Sequence, residues 1–172
     1  LSRIILLSGK ASSASLLCDL SLSALISLLH FEGGAFYLLS EDKKTSVMAS
    51  HVGLSEEFIR EFSVIDPNEY PFLYKEEKPL FTNNLSYIMP DFSEKWGIGG
   101  SAFIPVLSGN RILGSIHLIS KKPALVSIEE KEILLGIGRE IGNGLARLFD
   151  QNQLVQERKN LENLVQSIGD MV

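Results

Sequence analysis

The chain has 172 residues, 45% of them apolar and 22% charged, with a net charge of −5 and a pI near 5.2. That balance describes a folded domain with its own hydrophobic core rather than a disordered segment, and without a basic stripe nucleic acid is not an expected partner. The single cysteine, Cys18, leaves no internal disulfide framework and no cysteine-based zinc site, which agrees with a reducing, cytoplasmic setting.

The chain opens on Leu1, not Met, as a piece of a longer protein would. Residues 1–11 read as the tail of an incoming linker helix. No window there approaches the roughly 18 uninterrupted apolar residues of a membrane span, and the layout of a secretory signal is missing, so no membrane contact is expected of this stretch. Ser12 and Ser13 offer an N-cap. Leu16, Leu17, Leu20, Ala24, Leu25, Leu28 and Leu29 then recur at helical spacing up to His30. Gly33-Gly34 turns the chain into a strand, AFYLL. SEDKK is a polar turn and TSVMASHV a second strand, so the two form a hairpin. Ser55-Glu56-Glu57 opens a short helix carrying Phe58, Ile59 and Phe62, with acids where the helix dipole favours them.

From Val64 to Trp96 the pattern loosens around Pro67, Pro71, Pro79 and Pro90. A helical turn around Phe72–Glu76 and a short strand at Pro79–Thr82 are its regular pieces. Gly97, Gly99 and Gly100 lead into SAFIPVL, a turn at Gly109-Asn110 where both residue types tolerate positive φ, and ILGSIHLIS. The glycine cluster enters a strand, not a helix, so it does not cradle a phosphate. Ser127 with Glu130 three residues on is a capping box. Ile133, Leu134, Ile137, Ile141, Leu145 and Leu148 follow as the buried face of a long helix. Beyond it Leu154, Arg158, Leu161, Val165 and Ile168 recur at four-three spacing, as a coiled-coil seam does. This seam is out of phase with the preceding face, which predicts a stutter or a break near Gln151. The whole reads as α+β: a central antiparallel sheet flanked by terminal helices. The expected division is a linker at 1–11, a domain at 12–149 and an outgoing coiled-coil linker at 150–172.

The segments GGAFYLLSEDKKTSVMASHVGLSEEF, KPLFTNNL, GGSAFIPVLSGNRILGSIHLIS and SIEEKEILLGIGREIGNGLARL, in this order, resemble the GAF domain family, with Pro105 and Gly114 where that family usually has them. The resemblance implies terminal helices packed on one face of the sheet and a pocket on the other, roofed by irregular segments. Such domains bind cyclic nucleotides, bilins, haem or other small molecules, or bind nothing. They commonly sit beside PAS domains or upstream of histidine kinases, cyclases or phosphodiesterases. The Asn-Lys…Phe…Asp-Glu signature of cyclic-nucleotide binders is absent. Cys18, followed by Asp19 on the first helix, is not where bilin binders attach their chromophore. The cofactor therefore stays unknown, with haem one alternative. Methionine sulfoxide reductases of this family need several cysteines, and no catalytic constellation appears, so the chain reads as a regulatory domain and not an enzyme.

The candidate ligand-binding residues are Phe72, Tyr74, Phe81, Tyr87, Phe92, Trp96, Ser101 and His117. The aromatics either wall a pocket or fill a second core above the sheet. Alternation places Ser115 and His117 on one side of a strand. There His117 is a ligand contact, a haem ligand, or a buried histidine bonded to a carbonyl. Cys18, among leucines, reads as a small core residue. Two functions stay open: a cytoplasmic small-molecule sensor, homodimeric through its terminal helices and joined to a downstream kinase or PAS domain, or a ligand-free dimerisation domain.

Overall fold

The computed structural model describes residues 13–171, apart from 71–73, 75–79, 83 and 124. The incoming helix and most of the expected turn at 72–76 lie outside the described residues. Helix α1 (Ala14–Leu29) starts where the Ser13 hydroxyl accepts the Leu16 N–H at 3.1 Å, satisfying one of the orphan donors of the first turn. It stops at His30, which takes the left-handed conformation at φ 58°. Its buried stripe is Leu17, Cys18, Ser21, Leu22 and Leu25, whereas Leu16 and Leu28, expected on that face, are exposed. So many leucines interleaved with serine leave the phase ambiguous from sequence alone.

Strands β1 (Gly33–Leu39) and β2 (Ser46–Val52) form the first hairpin, and helix α2 (Glu56–Phe62) follows, capped by Ser55. Strand β3 (Val64–Ile65) then pairs with β2, strand β4 (Leu80–Thr82) with β5, and a 3-10 turn spans Leu85–Tyr87. Helix α3 (Pro90–Trp96) precedes the closing hairpin β5 (Gly100–Ser108) and β6 (Arg111–Ser120). Neither β3 nor α3 follows from hydrophobic periodicity: β3 is two residues long and α3 spans two turns, too short for a period to register. The strands make one antiparallel sheet in the order β3-β2-β1-β6-β5-β4.

Helix α4 (Ile128–Asp170) begins with the expected capping box, Ser127 with Glu130. Leu134, Ile137, Ile141 and Leu145 are buried on the sheet, but Ile133 is turned outward. Gly138 and Gly142, one turn apart, set how close α4 comes to β5. A Cβ at Gly138 would run into the Pro105 carbonyl oxygen, and one at Gly142 into that of Leu107. With α1, α4 covers one face of the sheet over a core of Phe36, Ile104, Val106, Ile116 and Leu118. The helix runs through Gln151 without a break, and from Phe149 to Met171 every residue is exposed.

Candidate functional site

The other face of the sheet carries a cavity of about 110 Å³. Residues paired across antiparallel strands point to the same side, and the register decides what forms its floor. His117 pairs with Ala35 on one side and Phe103 on the other, Ser115 with Tyr37 and Pro105, and Ile119 with Ser101. The roof comes from α2 (Phe58, Phe62), Ile65, Tyr70, Leu85, Ile88, Met89 and Phe92 of α3. Its aromatics interlock: Phe58 lies 4.6 Å from Phe62 and 4.9 Å from Trp96, and Phe62 lies 5.5 Å from Phe92, centroid to centroid. The Phe58–Trp96 and Phe62–Phe92 pairs are edge-on, and such pairs hold each other in orientation beyond their simple burial. The Tyr37 hydroxyl donates to the Phe62 carbonyl at 2.8 Å, pinning the roof helix to the floor.

A chain of polar groups crosses the apolar floor. Tyr74 Oη donates to Ser46 Oγ at 2.9 Å and lies 3.3 Å from Ser115 Oγ, which lies 3.0 Å from His117 Nε2. Ser46 and Ser115 are completely buried. The His117 ring sits between Tyr37 and Phe103, each centroid 4.7 Å away. Burial drives its pKa down to about 3, so the imidazole is neutral at pH 7. Burial likewise raises the Tyr74 phenol, against the lowering effect of its bonds to Ser115 and Ser46.

Of the eight residues singled out by sequence, Phe92, Ser101 and His117 meet at the cavity. Tyr74 acts from beside it, through its hydroxyl and an edge-on contact with Phe103 at 5.9 Å. Trp96 buttresses Phe58 and Phe62 from behind, with Lys95 Nζ 4.7 Å from its own ring. Two placements correct the expectation. Phe81 pairs with Ala102 and so faces the helix side, packed on the main core with Lys131 Nζ 5.4 Å over its ring. Tyr87, at the end of the 3-10 turn, is 86% exposed. Phe72 lies outside the described residues. Phe58, Phe62, Tyr37 and Phe103 line the cavity without having been singled out. Alternation from Ser101 and His117 would have reached Phe103, and the i, i+4 spacing of Phe58 and Phe62 marked an apolar helix stripe in need of a partner.

Cys18 lies in the helix-side core, where burial raises its thiol pKa to about 12, the state of an inert structural cysteine. Among the described residues no cluster of three metal-ligating side chains occurs, and no helix is long and apolar enough to cross a membrane.

A six-stranded antiparallel sheet, backed by two helices and roofed over a cavity, defines a small α+β domain. The chain belongs to the GAF domain family, which matches residues 11–146. Over 149 residues it is 27% identical to an aspartate–tRNA(Asp/Asn) ligase of Lachnoclostridium phytofermentans, a match that covers 87% of this chain and spans only 23% of that protein. Similar folds include the GAF domain of an Acinetobacter phosphoenolpyruvate-protein phosphotransferase (TM-score 0.71, 15% identity, 87% of this chain and 92% of that one). A domain of a putative two-component sensor histidine kinase from Sinorhizobium meliloti 1021 is also similar (TM-score 0.66, 21% identity, 80% and 93%). So is a free methionine-R-sulfoxide reductase from Neisseria meningitidis (TM-score 0.73, 10% identity, 87% and 88%).

Proposed function

We propose that this chain is the small-molecule-sensing region of a multidomain cytoplasmic signalling protein, with a sensor histidine kinase as its output. The observation that carries the reading is that β5 serves both the cavity and the exit helix. Ser101 and Phe103 of β5 line the cavity, while the Pro105 and Leu107 carbonyls of the same strand abut Gly138 and Gly142 of α4. A ligand that contacts the two states of β5 differently shifts their populations, and the tight glycine contact couples that shift to α4. The exposed seam Leu154, Leu161, Val165 and Ile168 suits a second copy of the same helix, giving a homodimer that carries the shift to a downstream kinase or PAS domain. The match to 23% of a longer protein supports a module within a larger chain, and the likeness to a sensor kinase domain favours that output.

One observation favours a second reading, a ligand-free dimerisation domain: the roof aromatics pack on each other and occupy much of the space above the sheet. A single cysteine, buried and unreactive, speaks against reductase chemistry of the kind that needs several. The test uses the full-length protein. Inserting one or two residues after Gln151 rotates the outgoing helix and is expected to lock or abolish output control, while a seven-residue insertion preserves it. Output that ignores all three insertions rules out signalling through α4.

A further inference from the structure

The hydroxyl chain under the cavity has a direction, and the direction decides what the cavity accepts. A hydroxyl has one proton to give. Tyr74 gives its own to Ser46 Oγ, so across the 3.3 Å contact Tyr74 Oη can only accept, and Ser115 is the donor. In the arrangement that makes all three contacts hydrogen bonds, Ser115 accepts across the 3.0 Å contact with His117, and the proton of the imidazole is on Nε2. In a neutral ring the other nitrogen, Nδ1, is then a bare acceptor. No protein group among the described residues bonds to it. It is not sealed off either, because among the described residues Ser21 Oγ is the one fully enclosed side-chain polar atom left without a partner. His117 borders the cavity, so the open lone pair is available to whatever occupies it.

The rest of the wall narrows the choice. Among the described lining residues none carries a carboxylate, ammonium or guanidinium group, and an ion moved there without a counter-charge would lose its hydration uncompensated. The volume of about 110 Å³ is near that of the engineered apolar cavity of about 150 Å³ that takes up benzene. We propose that the cavity binds a neutral, single-ring molecule carrying one hydrogen-bond donor, which it gives to His117 Nδ1 while the roof aromatics enclose the ring. This rests on the sensor reading for the existence of a ligand and adds its chemical class: phenol-like or azole-like, uncharged, a donor rather than an acceptor, and without phosphate.

The test compares phenol, toluene, benzoate and 3′,5′-cyclic GMP by ligand-observed NMR titration against the whole chain, in the wild type and in His117→Leu. Phenol and toluene share a shape and differ in the donor. The expected result is binding of phenol and no binding of benzoate or cyclic GMP. His117→Leu should weaken phenol by about five- to tenfold, the worth of one net hydrogen bond, and leave toluene within about twofold. Ring nitrogen shifts of His117 should show Nε2 protonated and Nδ1 bare. This readout does not depend on any ligand or on how the variant folds. A protonated Nδ1, uptake of benzoate, or phenol binding unmoved by His117→Leu overturns the donor assignment while leaving a ligand-taking cavity intact. If no probe binds the wild type, the proposed ligand class is wrong. If, in addition, output in the full-length protein ignores the helix insertions, the sensor reading fails with it.

Discussion

The two faces of the sheet are built from the same strands but to different ends. On the helix side Phe36, Ile104, Ile116, Ile137, Ile141 and Leu145 are fully buried and form one continuous core. On the roof side the contacts are aromatic, half-buried and interrupted by a cavity, and a line of hydroxyls replaces hydrocarbon. The first face is where stability comes from, because burial and dispersion scale with filled apolar contact. The second is where a different molecule can be accommodated, since its elements are short and its packing incomplete. On the proposed sensor reading, staying folded and responding are kept on opposite sides of one strand, β5.

The contrast is broken most forcefully from the helix side. Ile141→Ala removes a fully buried side chain beside the Gly138–Gly142 contact. It is expected to cost about 3 kcal/mol, read as a fall in the midpoint of urea unfolding at constant slope. A loss below about 1 kcal/mol would mean that the helix side is not the tightly packed face.

The next effect comes from the roof side and depends on pH. The folded pKa of His117 is lowered to about 3 from an unfolded value of 6.5. The unfolded chain therefore takes up the proton first as the pH falls. The stability tied to the neutral ring is complete above pH 6.5 and is lost progressively down to pH 3. At pH 5 the loss is on the order of 2 kcal/mol relative to pH 7.5. Denaturant unfolding at the two pH values should show it in the wild type and show it much reduced in His117→Leu. Equal pH dependence in the two proteins would place His117 in contact with bulk water.

Phe92→Ala opens the roof. Its ring is half-buried against Phe58 and Phe62, so the cost is expected near 1.5 kcal/mol, roughly half that of the core deletion. The enlarged cavity should admit ligands bulkier than phenol, a gain that no substitution on the helix side would produce. Unchanged ligand-size selectivity would show that α3 does not close the cavity.

How much of this was legible in the sequence differs between the faces for a physical reason. The hairpins, the capping box at Ser127 and the α4 stripe are local signals, written in residues two to four apart, and the structure has them. Phe81 shows the limit. Its strand was readable, but its side depends on pairing with Ala102, twenty-one residues later, and a register is not a local quantity. The roof is harder still, because α3 and the 3-10 turn are too short to display a period. Phe58 and Phe62 find their partners only in the folded chain. The predicted phase change near Gln151 is a further case. The backbone does not break there: α4 runs through Gln151, and its residues from Phe149 on are exposed with no neighbour among the described residues to read their phase against.

Tyr87 supplies the smallest effect and the sharpest check on where the roof ends. Composition places it among the aromatics that would enclose a ligand, two residues from Leu85 and Met89, which do line the cavity. The turn decides otherwise. Leu85–Tyr87 is a 3-10 turn, opened by the Asn84 side chain accepting the Ser86 N–H, and its successive side chains diverge by about 120°. With Leu85 buried inward, Tyr87 is carried out to 86% exposure. Removing an exposed side chain with no buried contact leaves stability within about 0.5 kcal/mol, so Tyr87→Ser should match the wild type in unfolding midpoint and in phenol titration. A loss comparable to Phe92→Ala would mean that the ring folds back over the cavity when a ligand is present, and the roof would then extend beyond Leu85, Ile88 and Met89.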